Sequence, residues 1–537
     1  MSQTPPPPPP PPGQPSADEH PAAPHQPRPG AGQAGWKVAT ALAAGLGLLL
    51  SGTVYVLMDR QISSLEDDLE SVRAQLAEAE SSSSDPLGGL GDLLGGDLGD
   101  LGDLFGDLDG LGDLLGGDLG GLGDLLGGDF GDIDPILFEC LSPGGLGMDL
   151  GGDGSIPDAD IETQVQAVRD ILEEERGLAV DGELSIEFVT VEEVQRRAVE
   201  LTEAELDRDQ AELDGRLLST IGALEPGIDL AQAQLDALDA GVGGFYNPDT
   251  GELVIGSEEM DGLGAYITAH EMVHALADQI FGLPDTAELA ETDGSDAAYA
   301  ALNAIEGDAT LYGQMFISEH LPMTELLALE AESAQSQAAL DQMPHFVRRN
   351  LEFPYIEGMT FTCDVFLDGG WDAVDHTYVD LPVTSAQILF PDRYRAGEEA
   401  AGVRMPDAPG GWNQIYTDTF GAADLLFLLE APGGDPAAAL TDPKELVRAW
   451  AGGEVAMWDR DGDTAVALAL TEHTEGPDLC GTVIDYYAAA FPDSTRSDDG
   501  GDAVFSGGDQ TGVIACDAGT ITLGIGPDAE TARALTP

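Results

Sequence analysis

The chain has 537 residues, room for more than one domain, but its composition is so uneven that much of the N-terminal third lacks the material for a packed core. Twenty Lys and Arg stand against 100 Asp and Glu, a formal charge of −80. A surface of that sign repels nucleic acid and anionic lipid headgroups, so no nucleic-acid partner is expected.

Residues 1–35 carry a run of prolines from Pro5 to Pro12. That composition favours extended polyproline conformations and predicts a disordered tail. Residues 36–58 follow, with Lys37 at the entrance and no further charge until Asp59. The run is long enough to cross a bilayer as a helix, with Trp36 and Tyr55 as interfacial anchors. It is longer than a cleavable signal peptide's apolar region and ends without a small-residue cleavage site, which predicts a signal anchor. Arg28 and Lys37 before it and Arg60 and Arg73 after it barely bias orientation. The acidic remainder and an even number of cysteines place the bulk of the chain outside the cytoplasm.

In residues 59–80, Ile62, Leu65, Leu69, Val72, Leu76 and Ala79 recur at alternating three- and four-residue steps. This is coiled-coil spacing and predicts a short helical stalk, through which the chain would form a homo-oligomer; a lone amphipathic helix fits as well. Residues 81–155 are built of Gly, Leu and Asp, and no Lys or Arg occurs between Arg73 and Arg169. A calcium-binding β-roll would need GGxGxD, but in Gly88-Gly89-Leu90-Gly91-Asp92 the aspartate comes one residue early. The expectation is a flexible acidic linker.

Ordinary globular composition fills residues 156–537. Residues 161–172 read as a helix and residues 184–189 as a strand; Thr190 to Glu193 resembles a capping box opening a helix with Val194, Ala198 and Leu201 on one face. Tyr246 to Gly251 is a turn, with residues 253–255 as the returning strand. Residues 455–458 and 465–470 form a hairpin about the turn 459–463, and residues 521–525 are a further strand. This mixture predicts an α+β domain. The turn at Asp459-Arg-Asp461-Gly462-Asp463 is no EF-hand, because Thr464 and Leu470 stand where that loop needs Gly and Glu. Cys140, Cys363, Cys480 and Cys516 contain no CxxC pair. Two disulfides are expected, Cys480 with Cys516 and Cys140 with Cys363.

The chemistry is concentrated in Ala265-Tyr-Ile-Thr-Ala-His270-Glu271-Met272-Val273-His274, on a helical stretch stopped by Gly282 and Pro284. His270 and His274 lie one turn apart, so both imidazoles face one way and can hold one zinc ion. Glu271 beside them is the candidate general base. With 8 histidines in the chain, an accidental HExxH is expected on the order of once in a hundred such sequences. A zincin scaffold serving only to bind remains open. The extended HExxHxxGxxH pattern fails, since Ala277 and Ile280 occupy its Gly and His positions. The third ligand is then a carboxylate: Glu306 on a second helical stretch, with Glu288, Glu291 and Asp293 as competitors in a more loop-like run. Asp308 or Thr310 would orient a ligand histidine. Tyr246, Tyr312, His320 and His376 are the candidates to assist a developing oxyanion.

The segments AHEMVHALADQIFGL and AIEGDATL resemble a bacterial zinc metallopeptidase family of the gluzincin type. Further similarity lies in Phe353-Pro354-Tyr355 with Gly358, in Gly369-Gly370-Trp371, in PVTSAQILFP, in Trp450-Ala-Gly-Gly453 and in the terminal PDAETARAL. The likeness implies a zincin-like fold over residues 156–537, Zn2+ held by His270, His274 and Glu306, and a peptide or protein substrate paired against residues 253–255. Where that family often carries an acidic residue and a histidine around QIL, this chain has Ala386 and Phe390, so packing is expected there. A silent surface-binding module and a zinc hydrolase of non-peptide substrates are the other functions compatible with these residues.

Overall fold

A computed structural model describes residues 135–141 and 156–536, apart from positions 158, 181, 183, 323, 327, 330–339 and 475. The expected disordered tail (residues 1–35), membrane anchor (36–58), stalk (59–80) and most of the expected acidic linker (81–155) lie outside the described residues. Among the described residues no helix is long and apolar enough to cross a membrane.

The chain is a mixture of helix and sheet. Helix α1 (Pro135–Leu141) comes from the stretch read as linker, and α2 (Ile161–Glu175) follows, with Asp160 accepting from the Thr163 amide as its cap. Strand β1 (Ser185–Phe188) leads into α3 (Val191–Glu205), which Thr190 caps through the Glu193 amide. Val194 and Ala198 of α3 are buried as its periodicity predicts, but Leu201 faces outward at 41% exposure. After α4 (Arg208–Ile221) and α5 (Leu230–Gly241), β2 (Gly244–Asn247) and β3 (Glu252–Ile255) form the hairpin expected around the Asn247 turn.

Strand β3 is the centre of this small sheet, parallel to β1 on one side and antiparallel to β2 on the other. The expectation that residues 253–255 offer a free edge is therefore corrected, because their backbone groups are already used on both sides. A hairpin's second strand need not be an edge. Here an earlier segment, β1, closes it, which local pattern does not reveal.

Helix α6 (Gly262–Phe281) lies against this sheet and ends at Gly282, whose φ of 77° is the left-handed stop predicted for it. Helix α7 (Thr286–Thr292) and the long helices α8 (Ser295–His320) and α9 (His345–Gly369) come next, then the short α10 (Trp371–Thr377) and α11 (Ser385–Leu389). Ala386 and Phe390 are buried, in keeping with a packing role.

The C-terminal part builds a second sheet from β4 (Asn413–Thr419), β5 (Trp450–Arg460), β6 (Asp463–Glu472), β7 (Thr495–Asp499), β8 (Asp502–Gly507), β9 (Gln510–Asp517) and β10 (Thr520–Gly526). Its order is β4-β5-β6-β10-β9-β8-β7, antiparallel throughout. Asp461 and Gly462, with φ of 56° and 93°, make the tight turn between β5 and β6. One apolar core joins this sheet to α8, α9 and α12 (Ala422–Glu430), and a second gathers α6, α8 and the small sheet. Cys480 and Cys516 are joined, as expected, but the expected bond between Cys140 and Cys363 is not formed and both are buried thiols. The sulfur of Cys363 lies 3.3 Å from the carbonyl of Ile136, and that of Cys140 lies 3.9 Å from the carbonyl of Cys363, so both thiols are turned to backbone oxygens.

Candidate metal centre

Helices α6 and α8 pack so closely that their facing residues are almost wholly buried, and the site sits on that seam. Gly313 permits part of this approach, since a Cβ there would meet the Tyr266 ring at 2.9 Å. On α6 the Nε2 atoms of His270 and His274 lie 3.2 Å apart, with the rings edge to face at 80°. Glu306 on α8 brings Oε2 to 3.5 Å from His270 Nε2 and 3.4 Å from His274 Nε2. All three side chains are at most 1% exposed.

Three donors converging at this spacing fit one ion. Ligands about 2.0–2.1 Å from a tetrahedral zinc stand roughly 3.3 Å from one another, which is what these atoms do. Without an ion the set is costly to bury: among the described residues neither histidine Nδ1 nor either Glu306 oxygen has a hydrogen-bond partner. Burial raises the Glu306 carboxyl, but the two imidazoles outweigh burial and hold it below its usual range. Burial also pushes His270 down, while on His274 the carboxylates of Glu306 and Glu271 overcome burial and lift it. The shifts on Glu306 and His270 are thus in the direction of the deprotonated forms that bind a metal, and the shift on His274 is opposite.

Glu271 is buried on the same helix, near enough to bear electrostatically on both His274 and Tyr355. Gly244 of β2 lets that strand lie close against α6, because a Cβ there would meet Ile267 Cγ2 at 2.4 Å. Glu288, Glu291 and Asp293 are exposed on and just after α7, a helix where a loop-like run was expected, and none joins the ligand group.

The supporting roles proposed from sequence are redistributed. Asp308 does not touch a histidine: its two oxygens accept from Arg176 at 2.8 Å each, and Oδ2 also accepts from the Tyr378 hydroxyl at 2.8 Å. Arg176 is 1% exposed, pairs a second time with Asp375 at 2.7 Å and stacks on Trp371. This network fixes α8 two residues past Glu306, a positioning role instead of a ligand-orienting one. The Thr310 hydroxyl makes no hydrogen bond to a described residue. Of the oxyanion candidates, Tyr246 donates to Asp278 at 2.7 Å, Tyr312 is packed between Phe316 and Trp371, His320 pairs with Glu175 at 2.8 Å, and His376 is exposed. Glu175, Glu319 and His320 make a second group of ligand-type side chains, on the surface.

The residue that sequence reasoning passed over is Tyr355 on α9. It is 2% exposed, its ring centroid lies 6.5 Å from that of His270, and its hydroxyl bears on the Glu306 carboxylate. Burial first, and then the charges of Glu306 and Glu271, push that hydroxyl well above its usual range, so it stays a proton donor. The signal was present in Phe353-Pro354-Tyr355, which carried a resemblance but no assigned role. A cavity of about 240 Å³ begins at Glu306 and Tyr355 and runs between α8, α9, α4 and β4.

No protein-family model, curated protein or solved structure matches the chain.

Proposed function

We propose that the chain is a zinc metallopeptidase of zincin type, tethered to a membrane by residues 36–58 with its catalytic body outside the cytoplasm. The observation that carries the reading is the convergence of His270, His274 and Glu306 at 3.2–3.5 Å in a fully buried setting, with Glu271 alongside. Zinc held there would polarise a carbonyl and lower the pKa of a water molecule. Glu271 accepts the proton of the attacking water as its oxygen bonds to the carbonyl carbon. It then delivers that proton to the leaving amine as the C–N bond breaks. Tyr355 donates its hydroxyl to the oxygen on which negative charge develops.

The test uses the full-length protein in detergent, with metal content and peptide hydrolysis compared among wild type, Glu271→Gln and Glu306→Ala. The expected result is about one zinc per chain in wild type and Glu271→Gln, hydrolysis in wild type alone, and loss of zinc in Glu306→Ala. Zinc bound without turnover of any peptide would favour a binding module or a hydrolase of other substrates, and absence of zinc binding would end the proposal.

A further inference from the structure

The cavity that starts at Glu306 and Tyr355 ends among Asp214, Asp296, Asp418 and Asp424, and among the described residues no Lys, Arg or His lines it. The acidic surplus of the chain accounts for carboxylates on its surface, where water solvates them. It does not account for carboxylates around an internal space without a cation, where the charged form is penalised. Part of that cost is offset by capping. Asp418 Oδ1 accepts from the amides of Ser295 and Thr419 at 3.2 and 2.7 Å, and Asp424 Oδ2 accepts from the Gly421 amide at 2.8 Å. Asp296, 7% exposed, takes both the amide and the hydroxyl of Ser385 on Oδ1.

The capping leaves the other oxygens over. Oδ2 of Asp296 and Oδ1 of Asp424 accept no hydrogen bond from the described residues, and both residues line the cavity. Burial, with the neighbouring aspartates adding to it, pushes Asp296 up to about 6 and Asp424 up to about 7. Asp214, on α4 across the cavity, is likewise pushed up to about 6 by burial. Asp214 has only neutral donors, Gln210 at 2.9 Å and Tyr416, so the negative charge that the wall carries above these values meets no cationic side chain among the described residues that line it.

We propose that this acidic end is a specificity subsite for a cationic side chain, lysine or arginine, of a peptide lying along α8 from the metal centre. The proposal rests on the peptidase reading and names its substrate class. Asp296 precedes Glu306 by ten residues on one helix, a separation of about 15 Å at roughly 1.5 Å per residue. A long side chain and about two or three residues of extended peptide, at roughly 3.3 Å each, cover that distance. The basic residue then sits two or three positions from the bond that is cut. An ammonium or guanidinium group there meets the unpartnered carboxylate oxygens in a site shielded from solvent, where such pairing is strong.

The deciding measurement is binding of peptides with a single lysine, scanned through an otherwise neutral sequence, to zinc-loaded full-length Glu271→Gln protein. Norleucine peptides, which keep the chain length and drop the charge, are the reference. The lysine peptide with the correct register should bind at least about tenfold more tightly than its norleucine counterpart. That preference should collapse in Asp424→Asn and in Asp214→Asn, each first checked for a native unfolding transition. Equal affinity for lysine and norleucine at every position, or a preference untouched in both folded variants, would overturn the subsite. Hydrolysis by wild-type protein is read in parallel. Preference without hydrolysis supports the subsite while removing the peptidase reading, and hydrolysis without preference does the reverse.

Discussion

The Tyr299 hydroxyl donates at 2.7 Å to the carbonyl of Asn350, the one carbonyl of α9 whose helical donor would have been the nitrogen of Pro354. A proline inside a helix leaves such an acceptor without its usual partner, and here a side chain from α8 supplies it. The bond ties the two helices two turns from Glu306 and little more than one turn before Tyr355, so it helps set how those two residues meet. Tyr299→Phe should cost about 1–3 kcal/mol of stability, the penalty for orphaning a buried acceptor. It should also lower kcat more than it raises KM. Urea unfolding and steady-state kinetics on one preparation read both effects.

Gly307 and Gly358 mark the point where α8 and α9 cross. A Cβ on Gly307 would collide with the carbonyl of Gly358, and one on Gly358 with the carbonyl of Asn303. Backbone cannot move aside as a flexible side chain can, so Gly358→Ala should destabilise by about 2–3 kcal/mol through forced separation of the helices. Because Gly307 adjoins Glu306, the same variant should hold zinc at least about tenfold more weakly. Unchanged zinc affinity would show that the crossing does not set the ligand position.

The buried aspartates give a pH dependence opposite to that of paired surface carboxylates. Asp296 and Asp424 bind protons more tightly in the folded chain, at about 6 and about 7, than at the ordinary value of 3.8. Their contribution is fully present below that ordinary value and is lost as pH rises through the folded values. Metal-saturated protein should therefore lose stability between about pH 5 and pH 8, and Asp424→Asn should flatten the decline by on the order of 2 kcal/mol. Glu430, which burial raises but His345 and Arg349 hold low, works in the other direction and only at more acidic pH. Thermal unfolding at constant ionic strength across this range would contradict the assignment if stability rose towards pH 8.

The cysteines separate into two kinds. Cys480 and Cys516, 36 residues apart, bind α13 (Leu479–Ala490) to β9, and removing the bond by Cys516→Ser should cost roughly 3–4 kcal/mol from the loop it closes. Thiol titration of the denatured, unreduced protein should find two reactive groups per chain, from Cys140 and Cys363. A count of zero would mean that the second pair closes as well.

Local pattern carried much of this structure. The spacing of His270 and His274, the Thr190 cap, the Gly282 stop and the hairpin turn at Asp461 and Gly462 each follow from a few neighbouring residues, and each stands where the sequence placed it. What was not legible depends on partners remote in the chain. β3 loses its edge to β1, which arrives from before α3. Asp308 answers to Arg176, 132 residues earlier, and nothing near Asp308 announces that pairing. Tyr355 gains a role only because α9 crosses α8 at two glycines. Glu306 was legible by resemblance, and its place opposite two imidazoles is a property of helix packing that periodicity alone does not contain.

Helix α1 has a bearing on where the body of the chain is held by its N-terminal part. Leu137 and Cys140 are buried against Leu311, Met359 and Cys363 of α8 and α9. The acidic segment is therefore moored to the body at Pro135, well before the globular composition starts at residue 156. With residues 36–58 as the proposed anchor, shortening the segment upstream of Pro135 should draw the proposed metal centre towards the membrane, whereas deleting residues 142–155 should leave that tether length unchanged. A truncation beginning at Ile156 would strip the mooring and lay Leu311 and Met359 open to water, giving a shorter protein more prone to self-associate than the one it came from.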